Sequence, residues 1–442
     1  MKETSPEEKP AGVAKPRQAG EADGRWSWVE RGVWTERMLA TLVTGVKGGK
    51  WFSLMDKVYS MKNLQASWVR VRKRDGAAGV DGQTVSRFGA RQEHELAKLE
   101  QELRGGTYSP RAVRRVRIPK PGSRETRPLG IPTVRDRVAQ TALRNVLEPI
   151  FEVRFAPTSF GFRPKRGCKD ALRRVQGLLD AGYTWVVDAD IQKYFDSIPH
   201  DRLIAEVESE ISDGRVIELL WKYLKGGVFD GLEEWTPEDG TPQGAVISPL
   251  LANIYLHPVD LAVTAAGYEI TRFADDFVVM CRTEVEAMRA LSFIRGLIEE
   301  RGLSLHPEKT RVVDATQRGG FEFLGYRFEQ GRRWPRRKST KKLKDAIRVK
   351  TKRANGNSLR TIIDNINPIL RGWFEYFKHS HKNTFPGLDG WVRMRLRSIL
   401  RKRRGGRGRG RGSDHQRWPN NFFREAGLFS MQDARTLLCR SR

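Results

Sequence analysis

Apolar positions along this chain change period several times, and those changes divide it into helices and strands. Residues 51–103 are mostly helical in pattern. They are broken at Lys73-Arg74-Asp75-Gly76-Ala77-Ala78-Gly79-Val80-Asp81-Gly82, where five residues in ten are Gly or Ala and the spacing predicts a loop passing close to other backbone. Arg114-Arg115-Val116-Arg117-Ile118-Pro119-Lys120 alternates basic and apolar side chains, as a strand with one wet, positive face does. Pro121-Gly122 ends it, and Arg127-Pro128-Leu129-Gly130-Ile131-Pro132 returns as a second strand. A helix over 133–147 follows, with Val134, Val138, Ala142 and Val146 four apart, so the basic hairpin leans on a helix. Residues 185–191 read as an apolar strand carrying Asp188 and Asp190 on one face. Pro199-His200-Asp201 starts a helix with apolar Leu203, Ile204 and Val207. Asp239-Gly240-Thr241-Pro242-Gln243-Gly244 is a glycine-bounded turn before a largely buried helix over 248–264. A β-hairpin over 268–281, a helix over 283–302 and a last strand at Phe321-Glu322-Phe323-Leu324-Gly325-Tyr326 complete this part.

Beyond that strand the composition shifts. Residues 332–353 hold twelve Lys or Arg and one acidic residue, Asp345, and helical character resumes through Trp391. Trp373, Phe374, Tyr376 and Phe377 are close enough to form one apolar ridge. Residues 393–411 hold ten basic residues and no acidic one. The Arg-Gly repeats over 404–412 make no core; they read either as a segment ordered only along nucleic acid or as a solubilising linker. Residues 415–442 form a compact aromatic segment that reads as a small appendage. At the other end, residues 1–24 are polar and rich in Pro, Glu and Lys, without the apolar core of a secretory signal. They read as a flexible leader, taken to run through residue 50.

A chain of 442 residues can bury two or three cores. Its 81 Lys and Arg against 53 Asp and Glu leave a net charge of +28, which favours a polyanionic partner. No stretch approaches the roughly 20 continuous apolar residues of a membrane span, so nucleic acid explains the charge better than a membrane. Cys168, Cys281 and Cys439 are too few and scattered for a disulfide framework or a thiolate zinc site, and read as thiols in a reducing compartment.

Against this charge, Asp275 and Asp276 sit together at the tip of the 268–281 hairpin, in Phe273-Ala274-Asp275-Asp276-Phe277. Alone they could be a polar turn. With Asp188, Asp190 and the basic hairpin they read as clustered carboxylates, which repel one another unless a cation neutralises them. Asp190 is placed best by pattern to complete a site for two divalent cations. Two Mg²⁺ ions about 4 Å apart activate a primer hydroxyl and hold the departing pyrophosphate. Magnesium takes hard oxygen ligands and keeps waters, so no His or Cys is needed. Asp188 stays open between ligand, salt bridge and helix cap.

Eight blocks stand in order: Gly79-Val80-Asp81-Gly82, Arg127-Pro128-Leu129-Gly130-Ile131-Pro132, Gly161-Phe162-Arg163-Pro164, residues 188–196, residues 240–249, Phe273-Ala274-Asp275-Asp276, Pro307-Glu308-Lys309-Thr310 and Phe323-Leu324-Gly325. From about residue 51 onward the chain thereby resembles the reverse transcriptases of bacterial group II introns, with their maturase region. The resemblance implies an α+β right-hand polymerase fold: after the leader (1–50), fingers (51–185) and a palm (186–335) with antiparallel sheet, then a helical thumb and maturase domain (336–400). Residues 401–442 would be an Arg/Gly-rich linker and a small nucleic-acid-binding segment. Asp190, Asp275 and Asp276 look like the catalytic palm ligands of two Mg²⁺ ions. Phe273 stands where the family usually has Tyr, and Gln192 where it commonly has Lys.

For the incoming nucleotide, Lys120 and Arg127 resemble fingers residues that clasp the triphosphate, the alternative being wet strand surface. Phe195 resembles the aromatic gate that clashes with a 2′-hydroxyl, or is a core ring. Gln243 resembles a residue near the templating pair, or caps a helix. Lys309 resembles the lysine beside the leaving pyrophosphate, or is a loop lysine. RNA would be gripped by Arg336, Arg337, Lys338, Lys341, Lys342, Lys344, Arg401, Lys402, Arg403 and Arg404, through phosphates rather than sequence.

The implied activity is RNA-directed DNA synthesis plus assistance to splicing and retrohoming. Implied partners are group II intron RNA, target DNA and deoxynucleoside triphosphates, in a bacterial cytoplasmic ribonucleoprotein of open oligomeric state. The terminal block His415-Gln416-Arg417-Trp418-Pro419-Asn420 with Phe422-Phe423 resembles that of members without an endonuclease domain, so the intron RNA would cut one DNA strand and priming would come from another available 3′ end. Two other readings remain: a related reverse transcriptase of a defence or CRISPR-associated system, and an RNA-binding maturase with an idle polymerase site.

Overall fold

The computed structural model describes residues 24–440, except 47, 120–125, 231–232, 237, 242–243 and 355. Its contacts divide the chain into two units that interleave in sequence: residues 1–112, 132–154 and 204–226 form one, and residues 113–131, 155–203 and 227–442 the other. The expected boundary between residues 185 and 186 is therefore not where the units part. The chain crosses between them several times, which no local pattern reports.

The first unit is helical. Helices Met61–Arg74 and Val134–Glu152 pack together, and Val134, Val138, Ala142 and Val146 are all fully buried, as their spacing predicts. A polar seam runs between these helices: Asn63 donates to the Ala142 carbonyl at 3.0 Å, and Asn145 donates to the Asn63 amide oxygen at 2.9 Å. The glycine-rich loop does make a close backbone approach. A side chain on Gly79 would lie 2.7 Å from the Thr133 backbone at the start of the long helix. Beside it the buried Asp136 carboxylate accepts from the Tyr108 hydroxyl at 2.6 Å, from the Thr133 hydroxyl at 2.7 Å and from the Arg111 amide at 3.2 Å.

The leader reading does not hold for residues 24–44. Trp34 is 1% exposed and its indole donates to the Asn145 carbonyl at 2.9 Å, while Thr35 caps a helix, Glu36–Thr44. Trp26, Val29 and Val33 are buried as well. The two buried tryptophans, Trp26 and Trp34, supply enough apolar area to anchor the stretch. Residues 1–23 lie outside the described residues.

The second unit holds all the named strands: β1 Val113–Pro119, β2 Thr126–Ile131, β3 Trp185–Asp190, β4 Val228–Asp230, β5 Glu233–Trp235, β6 Glu269–Phe273, β7 Asp276–Cys281, β8 Arg311–Asp314, β9 Phe321–Phe323, β10 Tyr326–Glu329 and β11 Arg332–Pro335. They form three sheets, ordered β6-β7-β3-β8, β2-β1-β4-β5 and β11-β10-β9. The basic hairpin is thus half of a four-stranded sheet. Strands β4, β5 and β8 are three or four residues long, too short for alternation to announce them. The single last strand expected over 321–326 is a meander instead. Leu324 and Gly325 both have positive φ (47° and 84°), the two-residue turn of a tight hairpin, and the chain returns as β10.

Helices Arg337–Lys350, Leu359–Phe377 and Thr384–Arg403 build the helical region around Leu343, Ile347, Ile362, Ile366, Leu370 and Leu396. The C-terminal aromatic segment is part of that core rather than an appendage, since Trp418, Phe423 and Met431 are buried in it. Asp389 docks the last helix, Met431–Arg440, by accepting from the amides of Met431 and Gln432 and from the Ser430 hydroxyl. The Arg-Gly repeats are packed too: Arg401 donates to the Arg407 carbonyl at 2.9 Å and Ser398 to that of Gly408 at 2.9 Å. Of Trp373, Phe374, Tyr376 and Phe377, three form the expected ridge, with the Phe377 ring 4.7 Å from Trp373, 4.8 Å from Tyr376 and 5.0 Å from Tyr326 of β10, while Phe374 enters the helical core. No helix among the described residues is long and apolar enough to cross a membrane.

Candidate active site

Strand register, not sequence proximity, assembles the carboxylates. β3 pairs antiparallel with β7 so that Asp190 stands opposite Asp276, and β6 pairs with β7 so that Phe273 closes on Asp276. Only Ala274 and Asp275 remain in the turn, and Ala274 takes a positive φ of 61°. That conformation is costly for a residue with a Cβ, so its surroundings must hold it.

Those surroundings are built from residues the pattern did not single out. Arg272 is 2% exposed and forks onto Asp260, which is 0% exposed, with Nε 2.7 Å from Oδ1 and a terminal nitrogen 2.5 Å from Oδ2. Its other terminal nitrogen donates to the Ala274 carbonyl at 2.9 Å and to the Asn253 amide oxygen at 3.0 Å. Asn253 in turn donates to the Gly161 carbonyl at 2.8 Å. Gly161 lies directly under the turn, where a Cβ would fall on the Ala274 nitrogen and 2.8 Å from the Phe273 carbonyl carbon. The available signal was an arginine and an aspartate inside apolar segments twelve residues apart, since buried charges must be paired.

Electrostatics mark the same spot. Burial, then the neighbouring charges of Asp188, Asp275 and Asp190, push the Asp276 carboxyl up to about 7, with Arg336 opposing. Burial pushes Asp188 up to about 6 against the pull of Arg311, whose guanidinium lies 3.4 Å away. That contact puts Asp188 in an ion pair. Asp275 is also raised, by burial first and by Asp190 next, with Arg127 and Arg272 pulling the other way. Arg127 on β2 thus lies where its charge acts on Asp275. Lys309 is not a plain loop lysine, because its ammonium sits 2.5 Å from the Asp190 carboxylate.

A hard divalent cation suits this donor set of half-buried aspartates that repel one another. Among the described residues no three His, Cys, Asp or Glu side chains close into a preformed cage. Magnesium does not require one, since it is held by one or two carboxylates plus waters and substrate phosphates.

The nucleotide-side candidates are partly brought together. Phe195 lies half-buried in a short turn of 3₁₀ helix, Tyr194–Asp196, with its ring edge-on to Tyr194 at 5.4 Å. Its carbonyl accepts from the Thr241 amide at 2.6 Å. Gly240 (φ 92°) and Gly244 (φ 108°) each make a close backbone approach: a Cβ on Gly240 would lie 2.8 Å from the Phe195 oxygen, and one on Gly244 would meet Gly130 of β2. Gln243 itself and Lys120 lie outside the described residues. Phe273, half-buried, packs its ring against the apolar cluster that includes Phe160, Val278 and Phe323.

The basic candidates separate into two kinds. Arg337, Lys338, Lys341, Lys342, Lys402, Arg403 and Arg404 are exposed. Lys344 instead lies 5.6 Å from the centre of the Trp391 ring, Arg401 is ion-paired with Asp414 at 2.6 Å, and Arg336 directs its charge at Asp276. Those three have structural or active-site neighbours, as do two of the exposed ones: Lys341 pairs with Asp345 at 3.5 Å and Arg403 donates to the Asn357 carbonyl.

Residues 118–328 match the family described as reverse transcriptase (RNA-dependent DNA polymerase), and residues 340–418 match the maturase-specific domain of group II introns. Protein YkfC of Escherichia coli is 38% identical over 56% of this chain and 75% of its own length. The intron-encoded protein LtrA of Lactococcus lactis is 44% identical over 38% of this chain, but the match spans only 28% of LtrA. Among solved structures, apo telomerase from Candida tropicalis is similar over 67% of this chain and 63% of its own, at 14% identity and a TM-score of 0.44. With the carboxylates of β3 and β7 inside the first matched region and most of the helical core inside the second, the chain belongs to the group II intron reverse transcriptases that carry a maturase domain.

Proposed function

We propose that this protein copies RNA into DNA by adding deoxynucleotides to a primer 3′-hydroxyl at Asp190, Asp275 and Asp276, and that its helical region binds group II intron RNA to assist splicing. The observation that carries the reading is the register that puts Asp190 opposite Asp276 with Asp275 in the adjoining turn. Two Mg²⁺ ions held there would supply Lewis-acid activation of the primer hydroxyl and charge neutralisation at the leaving pyrophosphate. The chain's own residues do the rest. Arg127 and Lys120 offer positive charge to the triphosphate. Phe195 offers the aromatic ring whose face a 2′-hydroxyl would strike. The Lys309 ammonium, beside Asp190, would neutralise charge on the leaving pyrophosphate.

Splicing assistance is supported by the maturase-domain match and by the exposed lysines and arginines of Arg337–Lys350. Target DNA, retrohoming and a cytoplasmic ribonucleoprotein location belong to the same reading and follow from the relatives' intron-encoded nature. The match to LtrA covers a minor part of that protein, so these roles are assigned to the chain as proposals. The test is primer extension on an RNA template by Asp275→Asn and Asp276→Asn. Extension should be abolished while RNA binding and splicing assistance persist. Extension equal to wild type would remove the metal-site assignment.

A further inference from the structure

We propose that Arg272 is a positioning residue for the catalytic carboxylates: held in the core by Asp260 and Asn253, it fixes the Ala274-Asp275 peptide and so the aim of Asp275 and Asp276. The inference rests on the reading of those aspartates as metal ligands. Its basis is the cost of the arrangement. A buried ion pair seldom stabilises more than apolar residues of the same volume, because both charges lose their water. Arg272 at 2% exposure and Asp260 at 0% are therefore poorly explained as core filling.

Geometry supplies the alternative explanation. Asp260 takes Nε and one terminal nitrogen of the guanidinium, which sets the plane of the fork. The remaining terminal nitrogen can then point only along that plane, and there it meets the Ala274 carbonyl at 2.9 Å. That carbonyl belongs to the peptide joining the strained Ala274 to Asp275. Burial would pull the guanidinium down, but Asp260 holds it above its ordinary range, so the donor stays charged. Asn253 closes the frame by joining Arg272 to the Gly161 carbonyl beneath the turn. Lysine carries the charge without the fork and would leave the peptide free to turn.

The experiment uses the full chain and compares Arg272→Lys, Asn253→Ala and the double variant Arg272→Met/Asp260→Leu with wild type and with Asp276→Asn. Three quantities are read: Mn²⁺ affinity by electron paramagnetic resonance, the Mg²⁺ concentration for half-maximal primer extension, and the KM for deoxynucleotide at saturating Mg²⁺. Groups that orient metal ligands typically change metal affinity by 10–100-fold when removed. Arg272→Lys and the double variant should therefore weaken Mn²⁺ binding and raise the Mg²⁺ requirement by about tenfold or more, while deoxynucleotide KM and RNA affinity stay near wild type. The double variant keeps a filled, uncharged core, so a loss there reports positioning rather than an orphaned charge. If it does not fold, Arg272→Lys and Asn253→Ala decide the matter alone. Wild-type Mn²⁺ affinity and Mg²⁺ requirement in the folded variants would overturn the proposal, provided Asp276→Asn has lost Mn²⁺ affinity. Wild-type Mn²⁺ affinity in Asp276→Asn would instead overturn the ligand assignment beneath it.

Discussion

Replacing Gly161 by alanine adds one methyl group in the tightest place the active site offers. The new Cβ would fall on the Ala274 nitrogen, 2.8 Å from the Phe273 carbonyl carbon and 3.1 Å from the Ala274 Cα. Ordinary contact begins near 3.4 Å, so something must move by more than half an ångström, and every atom met is backbone. A flexible side chain could swing away, but this turn is tied at Ala274 to Arg272 and its strands are locked in register on both sides. The displacement should therefore reach Asp275 and Asp276. Misplacing a reacting group by about 1 Å costs on the order of 10²-fold in rate, whereas overpacking by one methyl costs about 1–3 kcal/mol of stability. Gly161→Ala should accordingly fold, bind RNA as wild type does, and lose roughly one to two orders of magnitude in primer extension. Single-turnover extension on an RNA template, with thermal unfolding as the companion measurement, reads both quantities. Extension within about threefold of wild type in a folded variant would refute the reasoning, because that much is less than a displaced carboxylate should cost.

Two further outcomes follow from other parts of the molecule. Phe195→Val removes the ring proposed to exclude a 2′-hydroxyl, so the ratio of ribo- to deoxyribonucleotide incorporation should rise; an unchanged ratio would end that role. Asp389→Ala leaves the Met431 and Gln432 amides without their acceptor, which should cost about 2–4 kcal/mol and release the last helix. Hydrogen exchange would show faster exchange confined to residues 431–440, and an unchanged exchange pattern would contradict the docking role.

What the sequence made legible was the material with local signal. Alternation announced the basic hairpin and β3, four-residue spacing announced Val134–Glu152, and Asp275-Asp276 between apolar neighbours stood out unaided. The ordered blocks then carried the family and its helical maturase region. What stayed hidden depends on contacts distant in sequence. The brace of Asp260, Arg272 and Asn253 needs a helix and a strand brought face to face. Strands β4, β5 and β8 exist because their partners do, not because of their own pattern. Trp34 stands in a stretch read as a leader and Phe423 in one read as an appendage, yet each fills a core supplied by other segments. The ion pairs of Lys309 and Arg401 likewise depend on carboxylates that sequence cannot set beside them.

Asp190 is the residue whose role depends most on the fold, since only the pairing of β3 with β7 brings it to the other two aspartates. Its replacement is therefore the most direct test of the central claim. Mg²⁺-dependent extension of a primer on an RNA template should fall to background in Asp190→Asn, with RNA binding unchanged. Extension at the wild-type rate would contradict the account.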